Sequence, residues 1–167
     1  MKLPFKILLI LLIPASLFAQ DAAVVKKQAT KVANALLAGN YDAVISSMYP
    51  KVVQMSGGKE KLLQMMTTGV SQMRAQGISF KSAAVGTPGK FYKAGTEIHC
   101  LVPETITMQM GKNTMTNKSN LLAISKDGGK NWSFLDLNRG TIASIPKIFP
   151  NFNKDLKIPK PAQPLMQ

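Results

Sequence analysis

The sequence predicts an α+β fold: N-terminal helices packed on a strongly curved antiparallel sheet, the two together forming a cone. Two observations predict it. Apolar residues recur at helical spacing from Val25 to Met73, and from Ile78 to Leu137 they alternate instead with polar ones. Turn residues, Gly111-Lys-Asn113 and Asp127-Gly128-Gly129, break the alternating half into consecutive hairpins, which makes the sheet an antiparallel meander.

Taken in order, Met1-Lys-Leu-Pro-Phe-Lys6 carries two positive charges, residues 7–13 are uninterrupted apolar, and Pro14-Ala-Ser16 with Ala19 supplies small residues. This is the three-part layout of a secretory signal peptide. It predicts a signal over residues 1–19, cleavage near Ala19-Gln20, and a secreted or periplasmic destination. The apolar run is shorter than the roughly 20 residues of a membrane-spanning helix, so no transmembrane segment is expected in the mature form. The folded domain is expected over residues 20–149, followed by a Pro-rich tail, 150–167, that is extended and mobile beyond Ile158.

Asp21 is placed to cap a first helix with the stripe Val25, Ala29, Val32 and Leu36, which Gly39 ends. Asn40 caps a short second helix that Pro50 stops, and Val52, Val53 and Met55 read as an apolar connector. Ser56-Gly-Gly58 opens a third helix over 59–76 with Leu62, Met66, Gly69 and Met73 along one stripe. Gly69 costs a helix about 1 kcal/mol against Ala, which a close approach to the sheet would explain.

Residues 78–85 and 91–93 read as strands. A long bent strand then starts at Thr96, with Ile98, Cys100 and Val102 on one face and Glu97, His99 and Leu101 on the other. Pro103 lacks a backbone donor and suits a bulge or an edge. Beyond it Ile106, Met108 and Met110 share a face. The strand from Met115 to Ser125 and the closing strand over 132–137 complete the meander. Residues 141–149 read as a short helix anchored by Ile142, Ile145 and Phe149.

The composition bounds the function. The chain has 21 Lys and Arg against 8 Asp and Glu, one cysteine and one histidine. A single cysteine forms no internal disulfide, and Cys100 on the apolar strand face reads as an inert core residue. The lysines are scattered, without a basic block or aromatic stacking series. The charge therefore predicts solubility and weak attraction to anionic surfaces, with no nucleic-acid role.

No Ser-His-Asp, GxSxG, HExxH, Cys-x-x-Cys or phosphate-loop pattern occurs, so no cofactor is expected. Three groups of residues are chemically suggestive. Glu97 and His99 share a face and form a candidate acid–base pair, but their place opposite Ile98, Cys100 and Val102 predicts solvent exposure. Asp136 shares a face with Trp132 and Phe134. If that face lines the cone, Asp136 is a buried carboxylate with a raised pKa; the cost of burying it unpaired favours Leu135 and Leu137 facing inward and Asp136 in water. Met108, Met110 and Met115 are three thioethers near one turn, able to hold Cu(I), although such methionines more often fill apolar space.

The turn Ser125-Lys-Asp-Gly-Gly-Lys-Asn-Trp132 resembles the Asp-box, S-x-D-x-G-x-T-W, of sialidase propeller blades, with Asn131 in the Thr position. There it is a structural device, and a single copy builds no propeller. Over residues 22–149 the chain resembles the NTF2-like (cystatin-like, SnoaL-like) superfamily and uncharacterised secreted bacterial proteins of that type. The likeness rests on Leu37-Ala-Gly-Asn-Tyr-Asp-Ala43 at the helix joint, Gly57-Gly58-Lys-Glu opening a helix, and Val102-Pro103 in the bent strand ahead of the Asp-box-like turn.

That resemblance implies a cone with a pocket between helices and concave sheet. The expected role is a non-enzymatic module taking an apolar small molecule or an envelope protein partner. Leu62, Met66 and Met73 are then expected to face Ile106, Met108, Met110, Trp132 and Phe134 across the pocket. The alternative is an acid–base enzyme of the ketosteroid isomerase or dehydratase type using Asp136 or Glu97/His99, and a further one is the methionine Cu(I) site.

Overall fold

The computed structural model describes residues 16–167, with side chains from residue 22 onward. Most of the expected export signal, residues 1–15, therefore lies outside the described residues. The rest is α+β: four helices, α1 (Ser16–Leu37), α2 (Tyr41–Ser46), α3 (Pro50–Met55) and α4 (Lys59–Ala75), precede a strongly curled antiparallel sheet that forms a cone-like half-barrel. Its strands are β1 (Ile78–Val85), β2 (Tyr92–Ala94), β3 (Glu97–Met110), β4 (Asn113–Ser125), β5 (Ser133–Asp136) and β6 (Leu165–Met166). Helix α5 (Arg139–Ile148) lies between β5 and β6. No described helix is long and apolar enough to cross a membrane.

The helices follow local chemistry. α1 begins at Ser16 and runs through position 21, so the expected helix start at Asp21 is corrected. Val25, Ala29 and Ala33, four residues apart, are its buried stripe. Asn40 caps α2, its side-chain oxygen accepting from the Ala43 N–H at 3.1 Å. The segment read as a connector is helix α3, because Pro50 sits at its first turn, where a missing N–H costs nothing. Gly69 in α4 approaches nothing: a Cβ there would meet no atom within 4 Å. The close-approach reading is therefore corrected.

β3 and β4 form the spine. They pair without a break from Ile98 with Ser125 to Met110 with Asn113. The outer side of β3 carries β1 along one half and β2 along the other, and β4 likewise carries β6 and β5. Pro103 falls in the gap between β1 and β2. There the carbonyls of Leu101 and Pro103 accept from Gly89 and Gly86, both at 2.8 Å, and no partner strand needs the proline's absent N–H.

Both faces of the spine are covered. On the concave face Cys100, Val102, Leu121, Ala123 and Phe134 pack against Val25 and Ala29 of α1. On the convex face Leu122, Ile124, Leu135 and Leu137 pack against Ile145, Ile148, Phe149 and Leu156. The stretch after Pro150, expected as an extended tail mobile beyond Ile158, packs on this layer as far as Ile158 and pairs with β4 at residues 165–167. Leu156 is buried, Phe152 and Ile158 pack on the same cluster, and Gln167 exchanges backbone hydrogen bonds with Thr114 at 2.7 and 2.9 Å.

The Asp-box-like turn locks the β4–β5 connection. Asp127 accepts from the backbone of Lys130 and Asn131 at 3.1 and 2.9 Å and from the Asn131 side chain at 2.7 Å. The Trp132 indole N–H donates to the Gly129 carbonyl at 2.9 Å. Gln28 of α1 holds the turn from outside, donating to the Lys130 carbonyl at 3.0 Å and accepting from the Trp132 N–H at 2.9 Å. Gly128 and Gly129 take φ of +75° and +94°, a region L side chains avoid. Gly129→Val is expected to destabilise the fold by at least ~1 kcal/mol in urea denaturation. An unchanged midpoint would contradict the turn as described.

Candidate functional site

The concave layer is close-packed where α1 crosses Cys100 and Val102, and opens further along. There a pocket of about 320 Å³ lies between α1, α2, α4 and the sheet. Val32 and Leu36 of α1, Val44 of α2 and Met66 of α4 form the helical wall. Phe80, Ile106, Leu121 and Phe134 form the sheet wall. A mainly apolar concavity of this size matches the usual form of a small-molecule site.

Two carboxylates stand among these apolar walls, Glu104 of β3 and Asp136 of β5. Alternation continues through Pro103, so Glu104 points to the same face as Val102 and Ile106 and is only 7% exposed. Burial, reinforced by the charge of Asp136, pushes Glu104 up to about 7. Protein crowds Asp136 from most sides while leaving it open toward the pocket. That crowding raises its carboxyl above the ordinary value, against hydrogen bonds from Asn138 and Ser119 that lower it. Ser119, directly opposite Glu104 on β4, thus lies between the two acids. Both carboxyls are thus shifted toward their protonated forms, Glu104 the further of the two.

This corrects the face expected for Asp136, although the side chain is exposed as expected. Leu135 and Leu137 do not take the concave face; they are buried on the convex one, and Asp136 shares the pocket face with Phe134. Of the residues expected to line the pocket, the structure brings together Met66, Ile106 and Phe134. Leu62, Met73, Met108 and Met110 lie outside its walls. Trp132 is buried beneath the turn, against Phe91. Met108 pairs with Phe80 on one side and Met115 on the other, and Met115 pairs with Met166. The thioether row is therefore Met108, Met115 and Met166, with Met110 two positions along. Among the described residues no three His, Cys, Asp or Glu side chains come together as a metal site.

Glu97 and His99 do face away from the cone, but they are not in solvent. α5 and the residues after it cover them, and His99 is fully buried with its ring 5.1 Å from Phe149 and 5.7 Å from Phe152. Glu97 accepts from the His99 Nε2–H at 2.9 Å and from the Tyr49 hydroxyl at 2.7 Å, with Lys126 at 3.6 Å. Burial pushes Glu97 up, but these hydrogen bonds and charges outweigh it and leave the carboxyl below its ordinary value. Burial lowers His99 against the pull of Glu97, so the imidazole is neutral near pH 7. Its Nδ1 has no partner and no solvent contact. The cluster ties Tyr49 of the helical layer to the convex face of the sheet. Cys100 is buried too, its thiol pushed up to about 12.

Glu104 was the residue missed by sequence reasoning. Its signal was present: a charged residue at the centre of the inward series Val102, Glu104, Ile106. No protein-family model matches the chain, and neither does any curated protein or solved structure.

The two carboxyls predict a specific pH dependence. Glu104 has its folded value raised from 4.5 to about 7. Its contribution to stability is thus fully present below 4.5 and lost as pH rises through about 7. Relative to Glu104→Gln, the wild-type chain should lose on the order of 2 kcal/mol across that window in urea denaturation. Parallel stability curves for the two chains would contradict the buried carboxyl.

Proposed function

We propose that the protein is a binding module for a small apolar molecule, held in the concave pocket between α1, α2, α4 and the sheet. One observation carries this reading: the concave face that packs tightly beneath α1 leaves an apolar-walled opening of about 320 Å³ beside it. Removing an apolar ligand from water into such walls contributes roughly 25 cal/mol per Å² buried. The sheet curvature and the helical cover are those the NTF2-like resemblance implies, and we take the domain as one of that type. The export signal read from residues 1–19 gives the ligand an extracytoplasmic source.

The test is a titration with an apolar fluorescent dye. Val44 is half-buried on the helical wall, so Val44→Trp fills the pocket from its rim without invading the tight core. It should weaken dye binding at least about tenfold, whereas Met55→Trp, at an exposed position outside the pocket, should not. A folded wild-type chain that binds no apolar dye would overturn the proposal.

A further inference from the structure

The charge of the pocket is opposite to that of the chain around it. With 21 basic and 8 acidic residues, a random surface concavity in this protein would be bordered by lysine. Among the described residues that line this one, none is basic and two are carboxylates. The other pockets of comparable size pair their carboxylates with lysine: Glu104 borders a second one with Lys118 and Lys160 beside the C-terminal stretch, and Asp127 stands with Lys126 near the turn. The two acids also sit together. Glu104 is paired with Ser119 across β3 and β4, Ser119 interacts with Asp136 of β5, and the charge of Asp136 is felt at Glu104. One carboxyl is deeply buried and the other open to the pocket.

Two neighbouring carboxylates in an apolar, poorly solvated place repel each other. A proton relieves that repulsion, and so does a ligand cation. The cation also brings N–H donors that both carboxylates can accept, and charge-assisted hydrogen bonds are roughly twice as strong as neutral ones. A neutral polar group offers only the weaker bonds, and an anion adds a third negative charge.

We propose that the ligand is a cationic amphiphile: an apolar body against Val32, Val44, Met66 and Phe80, and a protonated amine between Glu104 and Asp136. This rests on the pocket being a ligand site. It adds the class of ligand, and with it a reason for two carboxylates on an otherwise apolar wall. The amine loses hydration on entry, and the two acceptors replace it. The lysine-rich exterior repels free amines weakly, so selectivity arises at the carboxyl pair and not from long-range attraction.

The experiment displaces a neutral apolar dye from the full chain near neutral pH with octylamine, octanol and octanoate, which share one chain and differ in head group. Octylamine should displace the dye at about tenfold lower concentration than octanol, and octanoate should be the weakest of the three. Asp136→Asn, at the open position, should bring the ratio of octanol to octylamine displacing concentrations from about ten to about one. Its urea denaturation curve reports separately that the variant is folded. Glu104→Gln should act in the same direction.

Equal displacement by amine and alcohol would overturn the amine proposal and leave the apolar pocket intact, as would an amine advantage that survives both substitutions. Failure of the dye and all three compounds to bind folded protein would overturn the pocket reading itself.

Discussion

Burial of the β3–β4 ladder on both of its faces is the constraint on which the rest of the structure depends. A ladder unbroken from Ile98–Ser125 to Met110–Asn113 fixes which side chains go to each side. A one-residue slip would exchange Cys100, Val102 and Leu121 for His99, Leu101 and Leu122. The slip is resisted at one end by the Asp127 turn, which Gln28 holds against α1. At the other, the Gly111 turn and the strand around Met166 close the hairpin. Covering one face takes the N-terminal helices; covering the other takes α5 and the stretch through Ile158. The chain needs both ends of its sequence to finish one sheet.

The pocket follows from the mismatch between a straight helix and a curled sheet. α1 presents Ala29, small enough for it to lie close over Cys100 and Val102, which are fully buried, and one turn on Ala33 already borders the pocket. Farther along β3 the sheet curls away, and the half-buried Leu36, Val44 and Met66 reach the opening without closing it. Glu104 and Asp136 occur where the layers part. In the tight region a carboxylate would lose its solvation outright, whereas at the opening it keeps a partial one.

Much of this was legible in the sequence, for identifiable reasons. The switch from helical to alternating periodicity gave the α+β class, and Asp127-Gly-Gly129 gave the turn with its positive φ, because both signals are local. The second covered face was harder to see. It was written in Leu121-Leu122-Ala123-Ile124, a continuous apolar run of the kind a doubly buried strand requires, but its partners are Ile145, Phe149 and Leu156, which local pattern does not connect to it. The same omission placed Glu97 and His99 in water, although they are under Phe149 and Phe152. Asp136 was turned away from the cone on the premise that only one face was apolar; once both are, Leu135 enters the convex layer while Asp136 takes the pocket face and stays exposed there. Pro50 was read as a stop when it also serves as a helix start. The methionines on α4 and β3 were expected to meet face to face, but the curl leaves only Met66 and Ile106 at the pocket.

The central claim, a ligand site on the concave face, is tested most directly by nuclear magnetic resonance of methionine methyl groups during titration with octanol. Six of the ten methionines report separately on the pocket, the exposed helical surface and the far arm of the sheet. Met48 and Met66 border the pocket, Met55 and Met65 are exposed on the helices, and Met115 and Met166 mark the far arm of the sheet. The account predicts saturable shifts at Met48 and Met66, with the other four unmoved. Shifts confined to Met55 and Met65, or to Met115 and Met166, would contradict it.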